Sequence, residues 1–244
     1  MSEVNTSRRQ FLGWGTAAMA GLAIAPGVTL IDLAHGKPDD QPVSSKVRWG
    51  MLIDANQCHS GCSDCVNACN KENGLSGGTG PDDSQWIRKM DLKDTHSGRV
   101  MSLPMMCQHC GNPPCTDVCP TGASFKRADG IVLVDRHICI GCRYCMMACP
   151  YKARSFVAHP VTDQKPGRPR GIGTVEACTM CVERVDAGLK PACVDACAAA
   201  GHEAIIFGDL NDPNSDISKR IAEYTTKQVR ADLGLDTGVR YQGV

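Results

Sequence analysis

The sequence predicts an α+β, loop-rich fold built from tandem modules with pseudo-two-fold symmetry. Three observations predict it. Sixteen cysteines fall into four groups of four within 244 residues. A short strand pattern precedes each group and a short helix pattern begins inside it, so a strand–loop–helix–strand unit repeats along the chain. Aromatic residues make up only 5% of the chain, too few to anchor a large core, so disulfides or metal centres are the expected staples.

The groups are Cys58-x3-Cys62-x2-Cys65-x3-Cys69, Cys107-x2-Cys110-x4-Cys115-x3-Cys119, Cys139-x2-Cys142-x2-Cys145-x3-Cys149 and Cys178-x2-Cys181-x11-Cys193-x3-Cys197. Pro120 and Pro150 directly follow the second and third. Strands are expected over 47–53, 99–105, 130–135 and 173–177 ahead of the groups, and over 123–125, 155–158 and 204–207 after them. Helices are expected to begin near Ser63, Thr116, Arg143 and Ala192. Behind Ser215, a capping residue, Ile217, Ile221 and Tyr224 follow helical spacing and predict a helix packed on the domain. Gly74 to Asp83 is Gly-rich and reads as a loop. The basic run from Lys165 to Arg170 carries Pro166 and Pro169, so it cannot be helical and reads as a solvated surface loop in preference to a partner-docking loop.

The first residues stand apart. Ser7-Arg8-Arg9-Gln10-Phe11-Leu12 precedes a weakly apolar, Gly-interrupted stretch to about Leu33, and the chain then turns polar. That layout describes an export signal, and the Arg-Arg-x-Phe-Leu run resembles the twin-arginine type, which carries proteins already folded around their cofactors. The alternative is a chance Arg pair before a buried helix. Residues 1–40 are therefore expected to be signal and linker, and 41–244 the folded domain. Asp32 stands where a cleavage site wants a small residue, so a retained anchor stays open. Elsewhere no segment is long and apolar enough to span a membrane. With 26 basic and 26 acidic residues the net charge is zero, which argues against bulk electrostatic binding to nucleic acid.

The spacing points to iron–sulfur chemistry. In Cys139-Ile-Gly-Cys-Arg-Tyr-Cys145 a single tight loop wraps a cluster, with Gly141 supplying the turn and backbone N–H groups facing sulfur. The fourth Cys lies one helical turn beyond the third and reaches the neighbouring cluster, as in two-cluster ferredoxins. Two such units make one ferredoxin-like module. The groups must then pair, the adjacent second with third, and the first with fourth. Within a pair, three Cys of one group join the last Cys of its partner. Four 4Fe–4S clusters follow. The third group is the strongest signal. The extra residue after Cys58 and the insertion after Cys181 weaken the first and fourth taken alone.

Other chemistries fit less well. Zinc favours separated Cys-x2-Cys pairs, a look that only the fourth group has. Export and an even Cys count suit disulfides, but bridges at x2 spacing close very small rings. No Cys-x2-Cys-His occurs for haem attachment. His59 and His109 are available as iron ligands, yet each group already supplies four thiolates, so a supporting or surface role is favoured. Arg143 and Lys152 are candidates either for raising a cluster potential or for plain surface residues. No Gly-x-Gly-x-x-Gly or Walker-type loop signals a bound nucleotide.

These residues resemble a known family, the iron–sulfur subunits of the dimethyl sulfoxide and polysulfide reductase type. The resemblance covers about Val47 to the end, including the tail Gly234-Leu-Asp-Thr-Gly-Val-Arg-Tyr241. Within it, Ser102-Leu-Pro-Met-Met-Cys-Gln-His-Cys110 and the run from Cys119 to Cys145 are most similar to the periplasmic ferredoxin-like subunit of the Dsr membrane complex of sulfur-metabolising prokaryotes. The family's ligand scheme implies four sets: Cys58, Cys62, Cys65 and Cys197; Cys69, Cys178, Cys181 and Cys193; Cys107, Cys110, Cys115 and Cys149; and Cys119, Cys139, Cys142 and Cys145. The function implied is electron transfer with no substrate site of the chain's own. The implied partners are an integral membrane quinone-interacting subunit, a multihaem cytochrome c and other subunits of a membrane complex, with the chain in the periplasm. The rivals are the electron-transfer subunit of a molybdopterin oxidoreductase and a structural zinc or disulfide protein.

Overall fold

The computed structural model describes residues 43–162, 164–165 and 167–244. The export signal expected over 1–40 lies outside them. The organising element is β1 (Trp49–Asp54), whose residues from Gly50 onward are all buried. An apolar run buried on both faces belongs at the centre of a sheet. β8 (Ile205–Asp209) pairs with it antiparallel, Ile53 opposite Ile205, and β10 (Val239–Gln242) pairs with it parallel, Met51 opposite Val239. β9 (Thr226–Lys227) closes the other edge of β10. Both ends of the described chain thus meet in one four-stranded sheet, ordered β8-β1-β10-β9.

The six α-helices among the described residues follow from local signals. α1 (Asp64–Asn73) has Asp64 in its first turn and Lys71 in its last, complementing the helix dipole, and stops at Gly74 in the left-handed conformation. α2 (Pro114–Asp117) starts on proline, and α3 (Tyr144–Ala148) starts after left-handed Arg143. α4 (Val182–Asp186) and α5 (Ala192–Ala199) fill the stretch between Cys181 and the end of the fourth group. α6 (Asp216–Glu223) is capped by Ser215, whose hydroxyl accepts from the Ser218 amide at 3.2 Å. Its Ile217 is fully buried, and the helix packs on β8 and β1, as its spacing predicts. Tyr224 falls just past the last turn and is exposed.

The remaining strands form two-stranded pairs: β2 (Ile87–Lys93) with β3 (Val100–Met106), β4 (Ser124–Lys126) with β5 (Val132–Val134), and β6 (Arg154–Phe156) with β7 (Val175–Ala177). Each strand expected around the cysteine groups forms within two residues of its expected bounds. β2 was not expected, because Arg88, Lys89, Asp91 and Lys93 give it the composition of a loop. It is an exposed hairpin arm whose register is carried by β3.

The basic run is a correction. Arg168 and Arg170 are not solvated. The Arg170 guanidinium, 7% exposed, pairs with fully buried Glu176 at 2.7 Å and donates to the Gly74 carbonyl. Arg168 pairs with Glu72 and Glu183. The run is a clasp holding the end of α1 to β7 and α4. Composition alone showed the charges and not the carboxylates waiting 6 to 96 residues away in sequence. Among the described residues, no helix is long and apolar enough to cross a membrane.

Candidate metal centres

The main core is built around sulfur. Met51, Ile53, Trp86, Met106 and Tyr241 pack with cysteines of all four groups, and every one of the sixteen thiols is free. The helices explain how. Cys65 and Cys69 lie four apart on α1, and Cys193 and Cys197 four apart on α5, so each pair shares a helix face. α1 and α5 pack together. Cys65 then meets Cys58, Cys62 and Cys197, while Cys69 meets Cys178, Cys181 and Cys193. The second quartet lines a small cavity closed by Met51, Asn73 and Trp86.

The other two groups do the same over a shorter stretch of chain. Cys107, Cys110, Cys115 and Cys149 line a cavity with Tyr151 and Val132. Cys119, Cys139, Cys142 and Cys145 line another with Ser124 and Val175. The structure thus brings together the thiols of each set that the family's ligand scheme implies.

Their order in space is also legible. Cys193 is near enough to Cys65 to feel its charge, and Cys107 near enough to Cys178. The Arg154 guanidinium donates to Cys115 and lines the cavity shared by Cys145. The first quartet therefore neighbours the second, the second the third, and the third the fourth. All eight thiols of the inner two are buried. In the first, Cys58 and Cys62 are partly open; in the fourth, Cys119 and Cys139 are partly open and Cys142 is exposed.

Burial sets the proton affinities. It pushes the Cys65, Cys110 and Cys178 thiols up to about 12, with neighbouring cysteine charges adding to the effect. Cys69 and Cys193 are raised further by the same causes. Cys119 is the opposite case: burial is the largest single influence and raises its thiol, but hydrogen bonds from the Ser124 amide, Thr121 and the Ala123 amide together outweigh it and hold the thiol below the ordinary value. Further donors reach sulfur from the Met180 amide to Cys178 at 3.4 Å, from the Val175 amide to Cys139 at 3.5 Å, and from Asn73 Nδ2 to Cys69 at 3.6 Å.

Loop conformation completes the sites. Gly141 has φ +68° and leaves no room for a Cβ against the Gly173 carbonyl oxygen, so the tight turn read from the sequence is present. In the first group the extra residue is absorbed by Gly61 at φ +83°, and Lys89 Nζ clamps the loop by donating to the His59 and Cys62 carbonyls. The tail braces the third quartet: the Gly238 amide donates to the Gln108 carbonyl at 2.9 Å, and Gln108 Nε2 to the Tyr241 hydroxyl at 3.0 Å.

Neither singled-out histidine joins a quartet. His109 is 1% exposed, its Nδ1 accepts from the Val132 amide, and burial followed by the Arg154 charge lowers its pKa to about 3, so the ring is neutral. The His59 ring lies tilted against that of His202, their centroids 4.6 Å apart. Of the two candidate cations, Arg143 lies exposed over the Phe156 ring and Lys152 is exposed. Among the described residues the guanidinium that hydrogen-bonds a cysteine sulfur is that of Arg154, which the sequence reading missed. It stands just ahead of the strand expected over 155–158 and outside every cysteine group, and its only signal was a charge next to that strand.

A quartet of thiols alone suits zinc as well as iron, and comparison with known proteins decides between them. A family model described as a 4Fe-4S dicluster domain matches residues 99–209, and a second of the same description matches 51–123. The Hdr-like menaquinol oxidoreductase iron-sulfur subunit 1 of Archaeoglobus fulgidus is 40% identical, covering 96% of this chain and 97% of that protein. The chain belongs to the 4Fe-4S dicluster family of electron-transfer subunits. A tetrathionate reductase subunit of Salmonella typhimurium is 37% identical over 99% of this chain and 90% of its own length. Protein NrfC of Escherichia coli is 37% identical over 93% and 91%. The free, converging thiols and the small cavities between them fit the family's clusters, each of which takes four thiolate ligands.

Proposed function

We propose that the chain relays electrons through four 4Fe–4S clusters, held by the four quartets named above in the order first, second, third, fourth. The observation that carries this reading is the gradient of exposure: buried thiols in the two inner quartets, opened thiols in the two outer ones. A relay needs insulated middle sites and accessible ends, and this arrangement supplies both. The clusters supply one-electron redox chemistry. The protein excludes water from the inner sites, donates hydrogen bonds to sulfur, and sets each local charge, all of which tune potential. The chain works without a substrate site of its own.

The place of work in this proposal is the periplasm, reached by the twin-arginine route, peripheral to the cytoplasmic membrane. The partners are an integral membrane quinone-interacting subunit and a multihaem cytochrome c, within a sulfur-metabolism complex of the Dsr type. In that complex the chain would correspond to the DsrO subunit. Similarity to a menaquinol oxidoreductase subunit over nearly the whole chain supports a quinone-linked partner. A second reading, the electron-transfer subunit of a molybdopterin oxidoreductase, is supported by similarity to a tetrathionate reductase subunit and to a putative dimethyl sulfoxide reductase subunit of Halobacterium salinarum. Purification of the complex from gently solubilised membranes separates them. The first reading expects an integral membrane subunit and c-type haem with the chain, and bleaching of its iron–sulfur absorbance by a menaquinol analogue. A molybdenum-containing subunit in their place contradicts it and establishes the second.

A further inference from the structure

Arg154 is a buried charge at the join between the third and fourth quartets. It opens β6, is 6% exposed, and its Nη2 donates to Cys115 Sγ at 3.0 Å and to Ser124 Oγ at 2.7 Å. The same guanidinium lines the cavity of the other quartet with Cys145, close enough for its charge to act on that thiol. Ser124 extends the link, since its amide donates to Cys119 Sγ at 3.4 Å. Nη1 is buried with no acceptor among the described residues.

A buried guanidinium is stable only opposite negative charge. The groups that Arg154 meets are Cys115, Cys107 and Cys145. As neutral thiols they leave it uncompensated. As thiolate ligands of net-negative clusters they would compensate it. Reduction adds a further negative charge to a cluster, so a nearby fixed cation favours the reduced form.

We propose that Arg154 is a positioning residue shared by the third and fourth clusters, whose permanent charge raises the reduction potential of both at once. This rests on the four-cluster reading. One residue then sets the level of the relay's exposed end and of the buried site behind it, and leaves the first and second clusters to be set by other groups.

The test is anaerobic redox titration followed by electron paramagnetic resonance, on full-length protein with iron counted first. In Arg154→Gln two midpoints fall, each by at least tenfold in the one-electron equilibrium, or about 59 mV, and two hold. Arg154→Lys, which keeps the charge and changes the donor geometry, keeps all four near their original values. An iron count in the unmutated protein well below about four atoms per quartet defeats the four-cluster reading itself. With iron complete, unchanged midpoints in Arg154→Gln, or equal falls in the Lys and Gln variants, overturn the charge assignment. Should Arg154→Gln lose iron, the Lys variant decides: full iron with midpoints in place supports the proposal, and loss of iron there as well makes Arg154 merely structural and overturns it.

Discussion

The half of the molecule made by the first and fourth cysteine groups differs from the half made by the second and third. The closing half joins segments more than a hundred residues apart, and it owns the four-stranded sheet and the two longest cysteine-bearing helices, of 10 and 8 residues. The local half uses helices of 4 and 5 residues and strands of 3. Its outer part has a separate core of only Cys115, Val132, Cys145 and Val175. Helices that short are not stable by themselves. The difference teaches that one chain secures similar quartets in two ways, by a packed scaffold in one half and largely by the metal in the other.

Iron removal breaks the comparison most sharply. Anaerobic chelation is expected to abolish hydrogen-exchange protection across α2, α3, β4 and β5, while β1, β8 and β10 keep theirs. Equal loss everywhere would mean that the sheet does not hold the closing half. Next in size is Gly141→Ala. A methyl there falls on the Gly173 carbonyl oxygen, and the left-handed backbone adds roughly 1–2 kcal/mol. The fourth cluster is expected to be lost, with iron dropping by about a quarter and the other three sites retained.

These effects also show what was readable in advance. The four cysteine groups were legible because their tight, repeated spacing stands out among neighbours in sequence, and Gly141 because only one turn fits between Cys139 and Cys142. The clasp of Arg168 and Arg170, the Lys89 clamp and the Arg154 bridge were not. Each depends on a partner brought close only by folding, and a charged residue reads the same whether it ends in water or against a buried carboxylate or sulfur.

Acidity sharpens the comparison further. In metal-free protein, thiols pushed up to about 12 stay neutral in the folded state, while the unfolded chain ionises near the ordinary thiol value of 9.0. Their raised folded values give stability that is complete below pH 9.0 and is lost as pH climbs to about 12. Thermal melts of chelated protein across that range are expected to fall steadily, and a flat profile would contradict the burial of those thiols. At neutral pH, a thiol-alkylating reagent is expected to label exposed Cys142 and acidified Cys119 well before Cys69 and Cys193. The smallest effect is that of Tyr241→Phe. It removes the hydroxyl that receives Gln108, costs about 1 kcal/mol, and lowers the temperature at which cluster absorbance is lost by about 2–4 °C.

The central claim is that four quartets hold four 4Fe–4S clusters, and the most direct test is the amount of iron and acid-labile sulfide per chain in protein purified without oxygen. The account predicts about sixteen of each. About eight of each, or zinc without sulfide, would contradict it.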